Sequence, residues 1–131
     1  MLTSLGRRVI VVWQELKGVL FNDSAVAGEA AAIGMGLIML GSGSQKVIEE
    51  MLGYAHDTQH EKIIRGLALA LGMAMYGREE EADGLVTTLL HDDDPILRYG
   101  AMHTIALAYA CSGSKCAAPR PNSPAPSPPR P

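Results

Sequence analysis

The feature that most constrains the fold is an internal repeat of apolar, glycine-rich segments. The segment Ala32–Gly41 aligns with Ala68–Gly77 at an offset of 36 residues, and alanine, glycine and methionine recur at matching positions. A third copy follows at an offset of 34 residues, where Gly100 corresponds to Gly66. A period in the mid-thirties is typical of one helix-turn-helix unit in an α-solenoid. The sequence therefore predicts stacked helical repeats.

Helix start signals fall where such repeats need them, and strand signals are weak throughout, so the predicted class is all-α. The first and third long helices are predicted to run to about Leu40 and about Ala110, and Arg78–Leu90 is predicted to form a shorter partner helix. The predicted N-terminal caps are Asp23 or Ser24, then Ser44, then a capping box at residues 58–61, and finally Asp94 followed by Pro95.

Small residues form two rows on each long helix, four residues apart within a row. The two rows are offset by two residues, about 200° around a helix, so they face opposite ways. A glycine inside a helix costs about 1 kcal/mol relative to alanine, and close backbone approach on both flanks supplies a compensating gain. An ordinary bundle would also use small residues, but it does not predict that they match across three copies. The expected packing positions are Gly34, Gly36, Gly66, Ala70, Gly72, Gly100 and Ala106.

The chain is predicted to divide into three parts. Residues 1–21 form an N-terminal helix that belongs to a preceding repeat, and residues 22–114 form the helical repeats. Residues 115–131 form a disordered, proline-rich tail, because seven of the eight prolines fall there. The third long helix then lacks a partner helix, so marginal stability is expected of the isolated chain. The apolar residues expected on that open end are Ile105, Leu107 and Tyr109.

Charge and composition exclude several classes of function. The net charge of -3 gives no general attraction to nucleic acid or to an anionic membrane. The uncharged apolar stretches fall short of the 18 to 20 or so residues that span a bilayer. Two cysteines, Cys111 and Cys116, are too few for a disulfide scaffold or a zinc finger. We also expect Arg65 and Arg98 to form salt bridges across repeats, with Glu29 at the site equivalent to Arg65.

Two sequence patterns resemble metal sites. His56 and His60 are spaced like the histidines of a zinc metalloprotease helix, but Asp57 replaces the catalytic glutamate and Thr58 is expected to cap a helix between them. The acidic run His91–Asp94 lacks the alternating ligands and the glycine of a calcium loop. We therefore expect solvated turns at both places, with no metal, no cofactor and no catalytic residue.

Several strings in the chain resemble the proteasome/cyclosome repeat family. They cover about residues 14–113, three repeats of a longer array, and the match rests on residues 22–31 (NDSAVAGEAA), 61–68 (EKIIRGLA), 76–79 (YGRE), 81–83 (EAD) and 94–98 (DPILR). The resemblance implies a non-catalytic scaffold, present as a fragment, in the base of the 26S proteasome regulatory particle. It also implies a role in ubiquitin-dependent protein degradation in the cytoplasm and nucleus. The implied partners are other regulatory-particle subunits and ubiquitin-handling factors, without nucleic acid or membrane.

Two alternatives remain open from the sequence. One is a metal-dependent hydrolase that uses His56 and His60. The other is a stand-alone helical-repeat adapter whose proline-rich tail recruits a partner domain with an aromatic groove.

Overall fold

The computed structural model describes residues 4–110 and 112, and it shows helices joined by short turns. No strand occurs among these residues, which confirms the all-α class. The predicted tail, 115–131, and both cysteines lie outside the described residues, and the division of the chain into three parts stays a prediction. The helices are α1 (Ser4–Phe21), α2 (Ala25–Ile38), α3 (Gln45–Asp57), α4 (Glu61–Ala74), α5 (Asp83–Leu90) and α6 (Pro95–Ala108), with a 3₁₀ turn at Glu79–Ala82 before α5.

The helices alternate between two layers. The long helices α2, α4 and α6 pack side by side in one layer, and each of α1, α3 and α5 packs against the long helix that follows it. This arrangement confirms the α-solenoid of helix-turn-helix units. Helix α4 has long helices on both flanks and α3 behind it, so it carries the most buried residues of any helix described.

Two of the predicted caps form as expected. The Ser44 hydroxyl accepts a hydrogen bond from the Val47 amide at 3.5 Å, and the Asp94 carboxylate accepts one from the Ile96 amide at 2.8 Å. Pro95 occupies the first turn of α6, where its missing amide proton costs nothing. These side chains therefore fix the starts of α3 and α6.

The predicted capping box at residues 58–61 is wrong. Helix α4 begins at Glu61 with His60 as its N-cap residue, whereas Thr58 is the C-cap of α3. The Thr58 hydroxyl accepts a hydrogen bond from the His60 amide at 3.3 Å and donates one to Asp23 at 2.8 Å. A tertiary contact with Asp23 thus occupies the side chain that the local pattern assigned to capping.

The partner helix predicted at Arg78–Leu90 begins later than expected. The chain first makes the 3₁₀ turn at Glu79–Ala82, and α5 starts at Asp83. Glu79 has a positive φ of 52°, which an α-helix cannot contain. The three consecutive glutamates therefore lie in a turn before the helix.

The predicted salt bridges of Arg65 and Arg98 across repeats are also wrong. Arg65 pairs with Glu61, one turn earlier in α4, at 3.3 Å. Arg98 donates hydrogen bonds to the carbonyls of Asp92 and Asp93 in the turn before α6. Both arginines bind groups of their own helix or of the turn before it, because those groups lie within reach of the side chain.

The C-terminal ends of the long helices are joined by a hydrogen bond that recurs in register. The Gly41 amide donates to the Met73 carbonyl at 2.9 Å, and the Gly77 amide donates to the Leu107 carbonyl at 3.0 Å. Both glycines have a φ of 70°, in the left-handed region that glycine adopts without strain. Each long helix thus ends on a turn that is bonded to the next long helix.

Arg78 adds side-chain hydrogen bonds to the first of these connections, at the turn that contains Gly41. Its Nε donates to the Gly41 carbonyl at 2.9 Å, and a terminal nitrogen donates to the Ser42 carbonyl at 2.8 Å. The same guanidinium also pairs with Glu81 at 3.2 Å. A planar guanidinium can reach both carbonyls at once, because its donors are held in a fixed fork.

Replacing Arg78 by lysine should therefore cost nearly as much stability as replacing it by alanine. A single ammonium cannot take the place of two donors in a fixed geometry, so we expect each variant to lose about 1–2 kcal/mol of unfolding free energy. Urea denaturation of both variants measures this loss. Wild-type stability in Arg78→Lys would mean that charge alone suffices at this position.

Candidate functional site

One face of each long helix packs against the next long helix, and we call it the successor face. A Cβ atom built on Gly36 would lie 2.7 Å from the Ala70 Cα, which is closer than real contacts allow. A Cβ on Gly72 would lie 3.2 Å from the Thr104 amide nitrogen. At both places the absent side chain leaves room for the backbone of the following helix.

The opposite face of each long helix, which we call the predecessor face, packs against the previous long helix. A Cβ on Gly66 would lie 3.0 Å from the Glu29 carbonyl oxygen, and one on Gly100 would lie 2.9 Å from the Ala68 Cβ. The two rows of small residues on α4 therefore point to different neighbours. We propose that Gly36, Gly66, Gly72 and Gly100 set the spacing of the stack.

Three positions depart from the predicted set. Ala106 is exposed, because the described residues place no helix against the successor face of α6. Gly34 is half-buried and meets the Leu16 side chain of α1 instead of a long helix. Gly28 was missed, although a Cβ there would lie 2.6 Å from the Ile63 side chain. Its spacing of four residues from Ala32 was the signal that could have found it.

The open end of the repeats differs from the one expected. Ile105, Leu107 and Tyr109 are half-buried, not exposed, because α4 and α5 pack against α6: Leu107 meets Gly72 of α4, and the Tyr109 hydroxyl donates to Asp83 at the start of α5. The exposed large apolar side chains of α6 are Tyr99 and Met102, at 69% and 49% exposure. The open surface is thus the successor face and not the side that meets α5.

Asp23 is the centre of a polar cluster between the first two repeats. Its carboxylate accepts hydrogen bonds from the Thr58 hydroxyl at 2.8 Å and the Tyr54 hydroxyl at 3.0 Å, and lies 3.3 Å from the His60 ring. The hydrogen bond from Thr58 is the largest cause of the lowered pKa of Asp23. Burial opposes it as the second-largest effect, and the hydrogen bond from Tyr54 and the charge of His60 add to the lowering. Burial, together with Asp23, raises the pKa of Tyr54 to about 12.

His56 and His60 do not share a helix face. His56 lies in the last turn of α3 and its Nε2 is 2.7 Å from the Asp92 carboxylate, whereas His60 precedes α4 and faces Asp23. Thr58 ends α3 between them, so the one-turn spacing of a zinc-binding helix does not arise. Each histidine instead joins a turn of one repeat to a turn of a neighbouring repeat.

The acidic run His91–Asp94 lines an open cleft of about 680 Å³. Its polar groups already have partners: Asp92 accepts a hydrogen bond from the Asp94 amide and pairs with His56, and the His91 Nδ1 lies 2.8 Å from the Thr87 carbonyl. Among residues 4–110 and 112, no group of three or more His, Cys, Asp or Glu side chains is arranged to hold a metal ion. The cleft lies where two repeats meet.

Comparison with known proteins agrees with this geometry. The family model of the proteasome/cyclosome repeat matches residues 30–64, which run from α2 through α3 into the start of α4. The chain belongs to the family of proteins that carry proteasome/cyclosome repeats. The match covers one helix-turn-helix unit and the beginning of the next, as expected for one repeat of a solenoid.

Relatives from plants, animals and fungi match most of the chain. It is 54% identical over 109 residues to 26S proteasome non-ATPase regulatory subunit 1 homolog A of Arabidopsis thaliana, which covers 83% of this chain. It is 50% identical over 113 residues to 26S proteasome non-ATPase regulatory subunit 1 of Drosophila melanogaster, and 55% identical over 108 residues to 26S proteasome regulatory subunit rpn2 of Schizosaccharomyces pombe. These matches cover 86% and 82% of this chain.

The matched stretch amounts to 11% of the length of each of these three relatives. It therefore corresponds to a few repeats of a much longer protein. None of the described helices is both long and apolar enough to span a membrane.

Alanine at Gly36 should destabilise the fold, whereas alanine at Gly53 should stabilise it. Gly53 is exposed within α3 and a Cβ there meets nothing within 4 Å, so its replacement gains up to about 1 kcal/mol of helix propensity. At Gly36 the added methyl meets the backbone of α4, and we expect a loss of about 1–3 kcal/mol. Chemical denaturation of the two variants tests the contrast. Equal effects would contradict backbone contact at Gly36.

Stability should fall with acidification partly through Asp23. Because its pKa is lowered by folding, its stabilising effect is complete above the ordinary value of 3.8 and is lost as the pH falls below it. Asp23 has a φ of 53°, which asparagine tolerates, so Asp23→Asn removes the charge without backbone strain. Unfolding free energies measured between about pH 5 and pH 3 should decrease less in Asp23→Asn and in Thr58→Val than in the wild type. An unchanged slope in both variants would exclude this role for the carboxylate.

Proposed function

We propose that this chain is a non-catalytic scaffold segment of the 26S proteasome regulatory particle and acts in ubiquitin-dependent protein degradation through protein-protein contacts. One observation carries the proposal: the stretch shared with proteasome non-ATPase regulatory subunits contains the stacked helices α2, α4 and α6. Its role would be structural, because a stack of closely packed helices holds the proteins bound to it at fixed positions.

The surfaces available for such contacts lie at the two ends of the stack. On α6 the apolar residues Tyr99 and Met102 are exposed, and on α2 the apolar residues Val26 and Leu37 are 71% and 58% exposed. Surfaces of this kind mark protein-protein contacts more often than small-molecule sites. The proposed partners are other regulatory-particle subunits and ubiquitin-handling factors, in the cytoplasm and nucleus.

The polar groups of the chain support a structural role in preference to a catalytic one. The pKa of Asp23 is lowered mainly by its hydrogen bond with Thr58, and the pKa of Tyr54 is raised by burial and then by Asp23, so both shifts have structural causes within the packing of the repeats. His56 and His60 each already pair with a carboxylate from a different turn. These contacts weigh against the hydrolase alternative. The adapter alternative depends on the proline-rich tail, outside the described residues, and stays a prediction.

Assembly into proteasomes is the direct test. The full chain with an affinity tag, expressed in eukaryotic cells, should sediment with the regulatory particle, and mass spectrometry of those fractions should identify other subunits. The matched control is Ala106→Arg, which places a charge on the exposed end of α6 without touching the core. We expect this variant to lose its association with the regulatory particle and therefore to sediment in the light fractions. A wild-type chain confined to light fractions would contradict the proposal.

A further inference from the structure

The long helices pack closely on one another, but the helices α3 and α5 of the second layer stand apart. No Cα atom of α3 lies within 8 Å of a Cα atom of α5, although both helices pack on the first layer. Two cavities occupy the space between them, the cleft of about 680 Å³ beside His91–Asp94 and a second of about 330 Å³ beside Glu81. Thr88 lines both cavities. They are therefore two parts of one groove, which we call the α3–α5 groove.

The floor of the α3–α5 groove is apolar. Ile48 and Leu85 are buried, at 3% and 9% exposure, and Leu52 is half-buried beside them. Ile64 of α4 is buried at the bottom of the larger cavity. Described helices lie on both sides of the groove and below it, so its walls are complete within the described residues. Apolar grooves between secondary-structure elements are a common site of peptide recognition.

The walls of the groove are acidic. No lysine or arginine lines either cavity, and the carboxylates that line them are Glu49, Glu61, Glu81, Asp92, Asp93 and Asp94. Four of these already cap a helix or pair with a histidine or an arginine. Glu49 and Asp93 are exposed, and neither belongs to an ion pair among residues 4–110 and 112. Each cavity therefore contains one negative charge without a basic partner in the described part of the chain.

The dimensions of the groove fit an extended peptide. Gln45 and His56 line its two ends on α3, and they lie about 16 Å apart at 1.5 Å per residue. An extended chain covers about 3.3 Å per residue, so about five residues fill this length. At one end the His56 ring lies 2.7 Å from the Asp92 carboxylate. This contact joins the two walls and leaves no room between them for a helix about 10 Å across.

We propose that the α3–α5 groove binds an extended, basic segment of another protein. A central apolar side chain would cover Leu52 and Leu85, and a lysine or arginine at each end would face Glu49 and Asp93. Side chains two residues apart lie on the same side of an extended chain, so two basic residues four apart fit, with the apolar residue midway. Binding would remove apolar surface from water and give each carboxylate a basic partner.

This inference does not rest on the proposed function. The groove lies in the second layer, away from the exposed ends of the stack, and its occupancy does not require assembly into a proteasome. A failure to bind basic peptides would leave the scaffold proposal untouched, and a failure to assemble would leave the groove untouched.

Peptide titration tests the proposal. The probe is a five-residue peptide, capped at both ends, with lysines at its first and last positions and Thr-Val-Thr between them. The control peptide has glutamates in place of the lysines. Both are titrated at low salt into the purified full chain, under reducing conditions, while amide resonances are recorded by NMR. The lysine peptide should shift the resonances of Leu52 and Thr88, and the glutamate peptide should bind at least tenfold more weakly. Five residues are too few for a stable helix, so binding indicates an extended occupant.

Two glycines provide matched blocking variants. Gly84 lines the groove, whereas Gly53 lies in α3 outside both cavities. Both are exposed, and a Cβ on either meets nothing within 4 Å. Gly84→Leu therefore places a side chain in the groove without disturbing the core, and it should weaken binding of the lysine peptide at least tenfold. Gly53→Leu should leave binding unchanged.

Charge removal provides a second test. Glu49→Gln and Asp93→Asn should each weaken binding of the lysine peptide about threefold, because each removes one exposed ion pair. The double variant should weaken it about tenfold, and it carries the test alone if circular dichroism shows that Gly84→Leu has lost native helix content.

Four outcomes would overturn the proposal. They are a lysine peptide that does not bind, equal binding of the two peptides, equal effects of Gly84→Leu and Gly53→Leu, and wild-type binding in the double variant. A wild-type chain that self-associates and becomes monomeric in Gly84→Leu would assign the groove to a second copy instead. Sedimentation velocity of the two chains makes that distinction.

Discussion

The structure depends on the contact between a glycine of one long helix and the backbone or Cβ of the next. At Gly36 and Gly100 a methyl group would come within 3 Å of Ala70 and Ala68, so the distance between helices is limited by the backbone itself. Such close approach adds dispersion contacts along the whole length of the helices. It also accounts for glycines whose intrinsic helix propensity is poor.

The other features of the chain follow from this close stacking. When two long helices lie side by side, their C-terminal turns also meet, and the recurring hydrogen bonds from Gly41 and Gly77 join them. The polar groups between repeats, such as Asp23 with Tyr54 and Thr58, fix the register of the second layer. The described repeats are therefore held together by backbone contacts in one layer and by polar contacts between turns.

The sequence predicts the features that repeat and misses those that depend on a single tertiary partner. The register of Gly36 with Gly72 and of Gly66 with Gly100 is visible without coordinates, because every repeat uses the same positions. The role of Thr58 is not visible, since its partner Asp23 lies 35 residues away. Local rules assign Thr58 to a capping box, and only the fold shows that the hydroxyl contacts another repeat. The same reason explains Arg65 and Arg98, whose partners are chosen by distances that a sequence does not contain. The exposed side of α6 could not be predicted either, because it depends on where α4 and α5 pack.

If contact at the small residues determines how closely the helices pack, a double-mutant cycle between Gly100 and Ala68 should show coupling between them. The Cβ of Ala68 is the atom that a methyl at position 100 would meet, at 2.9 Å. The unfolding free energies of Gly100→Ala, Ala68→Gly and the double variant measure the coupling. We expect Ala68→Gly to recover part of the stability lost in Gly100→Ala, although glycine alone destabilises the helix. Purely additive losses would show that the two positions do not press against each other and that the spacing of the helices has another cause.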